Sequence, residues 1–115
     1  MRRHTLYAQE MASGPDIRDN AALKRFELSV DGKLAGIAEY QDTASERAFV
    51  HTEIYPDFAG QGYGRLLIQT ALDTTRDQGF GILPMCPMVL HFVQSRPEYV
   101  ALVPAWARER YGLPQ

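Results

Sequence analysis

Between an alternating apolar stretch that ends at Tyr55 and a helical period that starts at Tyr63, the chain reads Ala59-Gly60-Gln61-Gly62-Tyr63-Gly64-Arg65. Glycines let a backbone bend until successive N–H groups converge, and a helix N-terminus adds partial positive charge, so together they make a seat for phosphate oxygens. A diphosphate-bearing ligand suits such a seat. The spacing is G-x-G-x-G, without the Gly-Lys-Ser/Thr ending of a P-loop, and Arg65 stands where a dinucleotide fingerprint needs its third glycine. Glycines that serve only a tight turn are the competing reading.

The elements around this loop follow from periodicity. Phe26, Leu28 and Val30 alternate with Glu27 and Ser29 as in a half-buried strand, and Asp31-Gly32 marks a hairpin. Leu34 to Tyr40 reads as a second strand, Asp42-Thr43-Ala44-Ser45 as a loop, and Arg47 to Tyr55 as a third strand stopped by Pro56. These three strands form an antiparallel meander.

After the loop, Tyr63, Leu66, Leu67, Thr70, Ala71 and Thr74 recur at helical spacing, and Gly79 supplies a C′ residue. Phe80 to Met85 is a short fourth strand, whose parallel pairing with the third completes a β-loop-α-β unit with a right-handed crossover. Pro87 opens a helix to Gln94, and short helical pieces follow over Glu98 to Val103 and Ala105 to Tyr111. Residues 1–23 carry no sustained period and include the turn chemistry Ser13-Gly14-Pro15-Asp16, which predicts a loosely ordered arm before one domain over 24–115.

The chain has 115 residues, 45% of them hydrophobic and 23% charged, which matches one globular domain. A net charge of −2 offers no basic surface for nucleic acid or anionic lipid. No apolar run reaches membrane-spanning length, the start lacks an apolar leader, and a single cysteine suits a reducing compartment, so a cytoplasmic protein is expected. His4, His51, His91 and Cys86 are too scattered for a zinc site, so no metal is expected.

These features together resemble the GNAT acetyltransferases, whose signature is Arg or Gln, two residues, Gly, one residue, then Gly or Ala at a strand-to-helix junction. Gly62 and Gly64 match the small positions, while Ala59 stands where the family has Arg or Gln. The resemblance is closest to the short single-domain branch and extends from about residue 24 to 103, through His51-Thr52-Glu53, the glycine loop, Cys86 and Arg96-Pro97-Glu98-Tyr99. It implies an α/β (α+β) fold in which the third and fourth strands splay into a V, with helices packed on the sheet.

It also implies an acetyl-CoA-binding N-acetyltransferase acting on a small amine or a protein amine, or a CoA-binding module with little turnover. The backbone near Ile54 and Tyr55 would pair with the pantetheine arm, and Gly60, Gln61, Gly62, Tyr63, Gly64 and Arg65 would hold the pyrophosphate. Pro56 fits a splay, because diverging strands leave the unpaired backbone that such an arm needs.

Acetyl transfer needs a deprotonated amine, a stabilised oxyanion and a proton for the departing thiolate. Cys86, just before the proline-led helix, would place its sulfur where a helix N-terminus favours thiolate, either as nucleophile or as acid; a buried, inert thiol is the alternative. Glu53 and His51 share one face of the third strand, with Thr52 and Ile54 on the other, so Glu53 is a candidate base and His51 its neighbour. The helix after the fourth strand offers Phe92 and His91 but not the tyrosine that many family members use as acid. Tyr63, Phe92, Tyr99 and Trp106 read as core aromatics.

Overall fold

The computed structural model describes residues 14–115. A five-stranded sheet in the order β1-β2-β3-β4-β5 forms the centre, with β1 at Pro15–Asn20, β2 at Arg25–Val30, β3 at Lys33–Asp42, β4 at Glu46–Ile54 and β5 at Gly81–Pro84. The first four strands are antiparallel neighbours, and β5 runs parallel to β4. The mixed α/β architecture expected from the sequence is therefore present.

β1 departs from the expectation of an arm over residues 1–23. Pro15 to Asn20 pairs along the whole of β2, from Pro15 opposite Val30 to Asn20 opposite Arg25. Residues 21–23 form the turn between β1 and β2, and the expectation for residues 1–13 lies outside the described residues. The strand carries little pattern of its own, since its one large apolar residue, Ile17, gives no alternation; an edge strand needs little more than a neighbour to pair with.

The β2–β3 hairpin turns at Asp31 and Gly32, with φ of 52° and 80°, the paired positive values that a two-residue turn demands. Helix α1, Tyr63–Asp77, buries Leu67, Ile68, Ala71, Leu72 and Thr75 against the sheet. It ends as its composition requires, with Gly79 at φ 84° and its N–H bonded to the Arg76 carbonyl at 2.9 Å. Helix α2, Pro87–Gln94, follows β5 and buries Val89, Phe92 and Val93. The short helices α3, Pro97–Val100, and α4, Ala105–Arg108, complete the fold.

One core joins these helices to a single face of the sheet, with Phe26, Leu28 and Phe49 from the strands meeting Leu67, Leu72, Val89 and Val93. Burying each such side chain contributes about 1.5–3 kcal/mol. Phe92 and Tyr99 belong to this core as expected, but Trp106 does not, being 60% exposed; it lies instead beside Arg110, whose guanidinium is 5.8 Å from the indole ring centroid.

At the other end of β4, Arg47 is buried among aromatic rings. It donates to Asp42 at 2.7 and 2.9 Å and to Gln78 at 2.7 Å, with the Tyr40 ring 4.1 Å away. Burial opposes its charge, but the Asp42 carboxylate outweighs that penalty and raises its pKa.

The sheet is not continuous along β4. Glu46 to Phe49 pair with Gly81 to Pro84, and pairing stops there. At the same point the β3–β4 register slips, with Glu39 opposite His51 but Tyr40 opposite Phe49, so Val50 is an extra residue. A bulge bends its strand, and Pro84 ends β5, so the two strands part and Val50 to Ile54 have no partner on the β5 side.

Candidate functional site

The amides of Gly60 to Arg65 are the first element of the site. Gly60 and Gly62 take φ of 78° and 80°, open to glycine without strain. Gly62 caps α1 without a side-chain hydrogen bond. The first protein–protein bond of this turn is Leu66 N–H to the Gly62 carbonyl, at 3.3 Å. Among the described residues no protein acceptor meets the N–H groups of Gly60 to Arg65. A helix start with unsatisfied donors and no cap is a ready seat for an anion. An added Cβ at Gly60 or Gly62 would meet nothing within 4 Å, so the space before these amides is open.

The second element is the unpaired edge of β4. Gly36 and Ile54 are partners, and the bond beside them runs from the Tyr55 N–H to the Ala35 carbonyl at 2.8 Å. Backbone groups of successive strand residues point to opposite sides, so those of Thr52 and Ile54 face the gap left by β5. Tyr55 does not: its N–H is bonded to Ala35, and its carbonyl accepts from Phe58 at 2.9 Å. Of the two residues expected to pair with a ligand arm, Ile54 has its backbone groups on the unpaired side and Tyr55 has its own already bonded within the protein.

A cleft of about 460 Å³ lies alongside, with Gly64, Arg65 and Ile68 of α1 facing Pro87, Met88, His91 and Phe92 of α2, and Arg96 beyond them. Gly64 lets the helices close in; a Cβ there would lie 3.4 Å from Met88 Cε and 3.6 Å from Ile54 Cγ1. Sequence alone gives Met88, His91, Phe92 and Arg96 no ligand role. The signal for them is the spacing of Met88, His91 and Phe92, at three and four residues, which puts them on one face of α2, with Arg96 two residues past its end.

The three catalytic candidates are not brought together on one side. Cys86 is 3% exposed and its Sγ donates to the Oγ1 of Thr52 at 3.5 Å, inside the core. It occupies the N-cap position of α2 but makes no cap bond, its sulfur being bonded to Thr52 and not to the helix amides expected to activate it. An accessible thiolate nucleophile is therefore not what the fold presents; the alternative of a buried thiol describes the geometry.

His51 and Glu53 lie on the opposite, uncovered face of β4. Their Nε2 and Oε1 atoms are 3.2 Å apart, with side chains 52% and 47% exposed. Ile37 is the cross-strand partner of Glu53, and Glu39 that of His51. The unpaired edge of β4 thus has a buried thiol on one side and an open imidazole–carboxylate pair on the other.

An antiparallel meander, a strand that parts from its parallel neighbour, and a glycine loop opening a helix at the parting define the GNAT fold. The model of the GCN5-related N-acetyl-transferase family matches residues 25–102, and the chain belongs to that family. Among solved structures it is similar to the ribosomal-protein-alanine N-acetyltransferase of Brucella melitensis biovar Abortus 2308, at TM-score 0.50 and 20% identity, over 70% of this chain and 61% of that one. It is also similar to the ribosomal-protein-S18-alanine N-acetyltransferase of Escherichia coli, at TM-score 0.49 and 23% identity, over 66% of this chain and 46% of that one. The chain thus spans about half to three fifths of the length of these structures. No curated protein matches it. Among the described residues no helix is long and apolar enough to cross a membrane.

Proposed function

We propose that this acetyltransferase-family chain binds acetyl-CoA and transfers the acetyl group to an amine, either of a small molecule or of a protein. The observation that carries the reading is the run of unsatisfied amides from Gly60 to Arg65, at the mouth of a cleft and beside the unpaired edge of β4. Those amides would hold the diphosphate, and the Thr52 and Ile54 backbone would pair with the amides of the pantetheine arm. Ala59 supplies no side-chain donor, so the backbone carries this contact alone.

Acetyl-CoA brings an activated thioester. The His51–Glu53 pair would take a proton from the incoming amine on the open face while its nitrogen forms a bond to the acetyl carbon and the carbon–sulfur bond breaks. The Cys86 thiol, beside Thr52, would give its proton to the departing thiolate and recover one from solvent. Acid and base on two sides of one strand suit direct attack in a ternary complex, without an acetyl-enzyme.

A CoA-binding module with little turnover is favoured by two observations: Cys86 is 3% exposed, and the cleft-facing side of α2 offers His91 and Phe92 but no hydroxyl. Calorimetric titration with acetyl-CoA tests the binding reading, with a saturable isotherm expected. No heat and no thermal shift at millimolar ligand would overturn it. Thiol release in the presence of a polyamine or a lysine peptide then separates transferase from module.

A further inference from the structure

We propose that the His91–Arg96 end of the cleft, floored by the Phe92 ring, is a subsite for the phosphate on the ribose of CoA. The chain would therefore discriminate CoA from its 3′-dephospho form. This rests on the reading of the cleft as a CoA site, and goes beyond it by assigning a selectivity to residues outside the glycine loop.

The arginines of the described residues fall into two groups. Arg18, Arg25, Arg47 and Arg76 each have a carboxylate within 3.4 Å. Arg65, Arg96, Arg108 and Arg110 have none, and of these Arg65 and Arg96 line the cleft, where His91 joins them and no carboxylate does. In a chain whose net charge is −2, two guanidinium groups at one apolar cleft without a counter-charge form a local field selective for anions, and the His91 imidazole adds a hydrogen-bonding group beside them.

Arg96 is also held in place. Its Nη1 donates to the Phe92 carbonyl at 2.7 Å, and its guanidinium carbon lies 4.0 Å from the Phe92 ring centroid. The side chain is thereby folded back one helical turn toward the glycine loop, and its remaining N–H groups have no protein acceptor among the described residues. Less ordering entropy is then lost when an anion binds than for a freely rotating arginine.

The placement suits a nucleotide. Met88 reaches the edge of the glycine loop at Gly64, and Phe92 is one turn further along α2, about 6 Å. A diphosphate at the loop and a second phosphate at Arg96 would thus be separated on the scale of a ribose, which carries them on its 5′ and 3′ oxygens.

The test is a two-by-two calorimetric comparison of CoA and 3′-dephospho-CoA on the native chain and on Arg96→Gln, with Arg96→Lys as the conservative variant. Native protein should prefer CoA by roughly tenfold, as expected for a charge-assisted phosphate contact. Arg96→Gln should lose that preference while keeping its affinity for dephospho-CoA, and Arg96→Lys should restore part of it. Equal affinity of native protein for the two ligands, or equal weakening of both by Arg96→Gln, would overturn the subsite and leave the CoA reading standing. Failure of both ligands to bind native protein would remove the CoA reading and the subsite with it.

Discussion

The Sγ of Cys86 donates to the Oγ1 of Thr52 at 3.5 Å, which ties the start of α2 to β4 just past the point where β5 has left it. Both residues are buried, at 3% and 6% exposure. The contact lies on the covered side of the V, so a thioester lying along the β4 edge would find a buried thiol beside it.

Native Cys86 is expected to alkylate with iodoacetamide much more slowly than in the urea-unfolded chain, because reaction requires local opening. Cys86→Ala should cost about 1–2 kcal/mol of stability through the lost sulfur. If the thiol is the proton donor, this variant lowers kcat with KM for acetyl-CoA retained. Rapid native alkylation would contradict the buried placement, and undiminished kcat would take Cys86 out of the chemistry.

Gly62→Asp should abolish CoA binding while the protein still melts cooperatively. The new carboxylate would sit at the free amides of the α1 N-terminus, where it repels phosphate, and its Cβ meets no atom within 4 Å. The residual cost is the left-handed φ of 80°, about 1 kcal/mol for a non-glycine residue. Thermal-shift titration with CoA reads the outcome; an unchanged ligand response would remove the loop from the binding site.

Asp42→Asn should destabilise more than Arg47→Met. The first leaves a guanidinium, 5% exposed, without its carboxylate, whereas the second leaves a carboxylate that is 34% exposed and can hydrate. We expect about 2–4 kcal/mol for Asp42→Asn, below the full range for a buried pair because of that exposure. Methionine at 47 would keep part of the packing against Phe26, Tyr40 and Phe80. Urea denaturation of the two variants gives the comparison, and the reverse order would show that the rings, not the ion pair, govern this corner.

Two tyrosines should make stability fall between about pH 10 and 12. Burial and the bond to Asp73, at 2.8 Å, push the Tyr99 phenol up to about 12. Burial and the bond to Asp19 do the same for Tyr40, also to about 12. Because the folded values are raised, the unfolded chain ionises first as pH rises, and each tyrosine's contribution is lost through that window. Tyr99→Phe should flatten the decline, as read from urea midpoints across it; an unaltered slope would mean that Tyr99 ionises in the folded state as in the unfolded.

Local pattern made much of this molecule legible. Alternation of Phe26, Leu28 and Val30, the Asp31-Gly32 turn, the α1 period and the Gly79 stop all depend on interactions a few residues apart, and each appears where its residues imply. The glycine loop is likewise local, since free donors at a helix start need only the backbone that glycine permits. β1 was not legible, because pairing to a neighbour, and not its own apolar residues, makes it a strand.

Tertiary structure decided which residues of the site meet. Sequence places His51 and Glu53 on one face of β4, and Thr52 and Ile54 on the other, but strict alternation from the buried Phe49 would turn His51 and Glu53 inward. The extra residue at Val50 reverses the phase, so the imidazole and carboxylate reach the open face and Thr52 turns in to meet Cys86. That bulge is a property of β3 and β4 paired together. The cleft, too, exists only where α1 and α2 pack, which is why Arg65 and Arg96, 31 positions apart in the chain, line one cleft only in three dimensions.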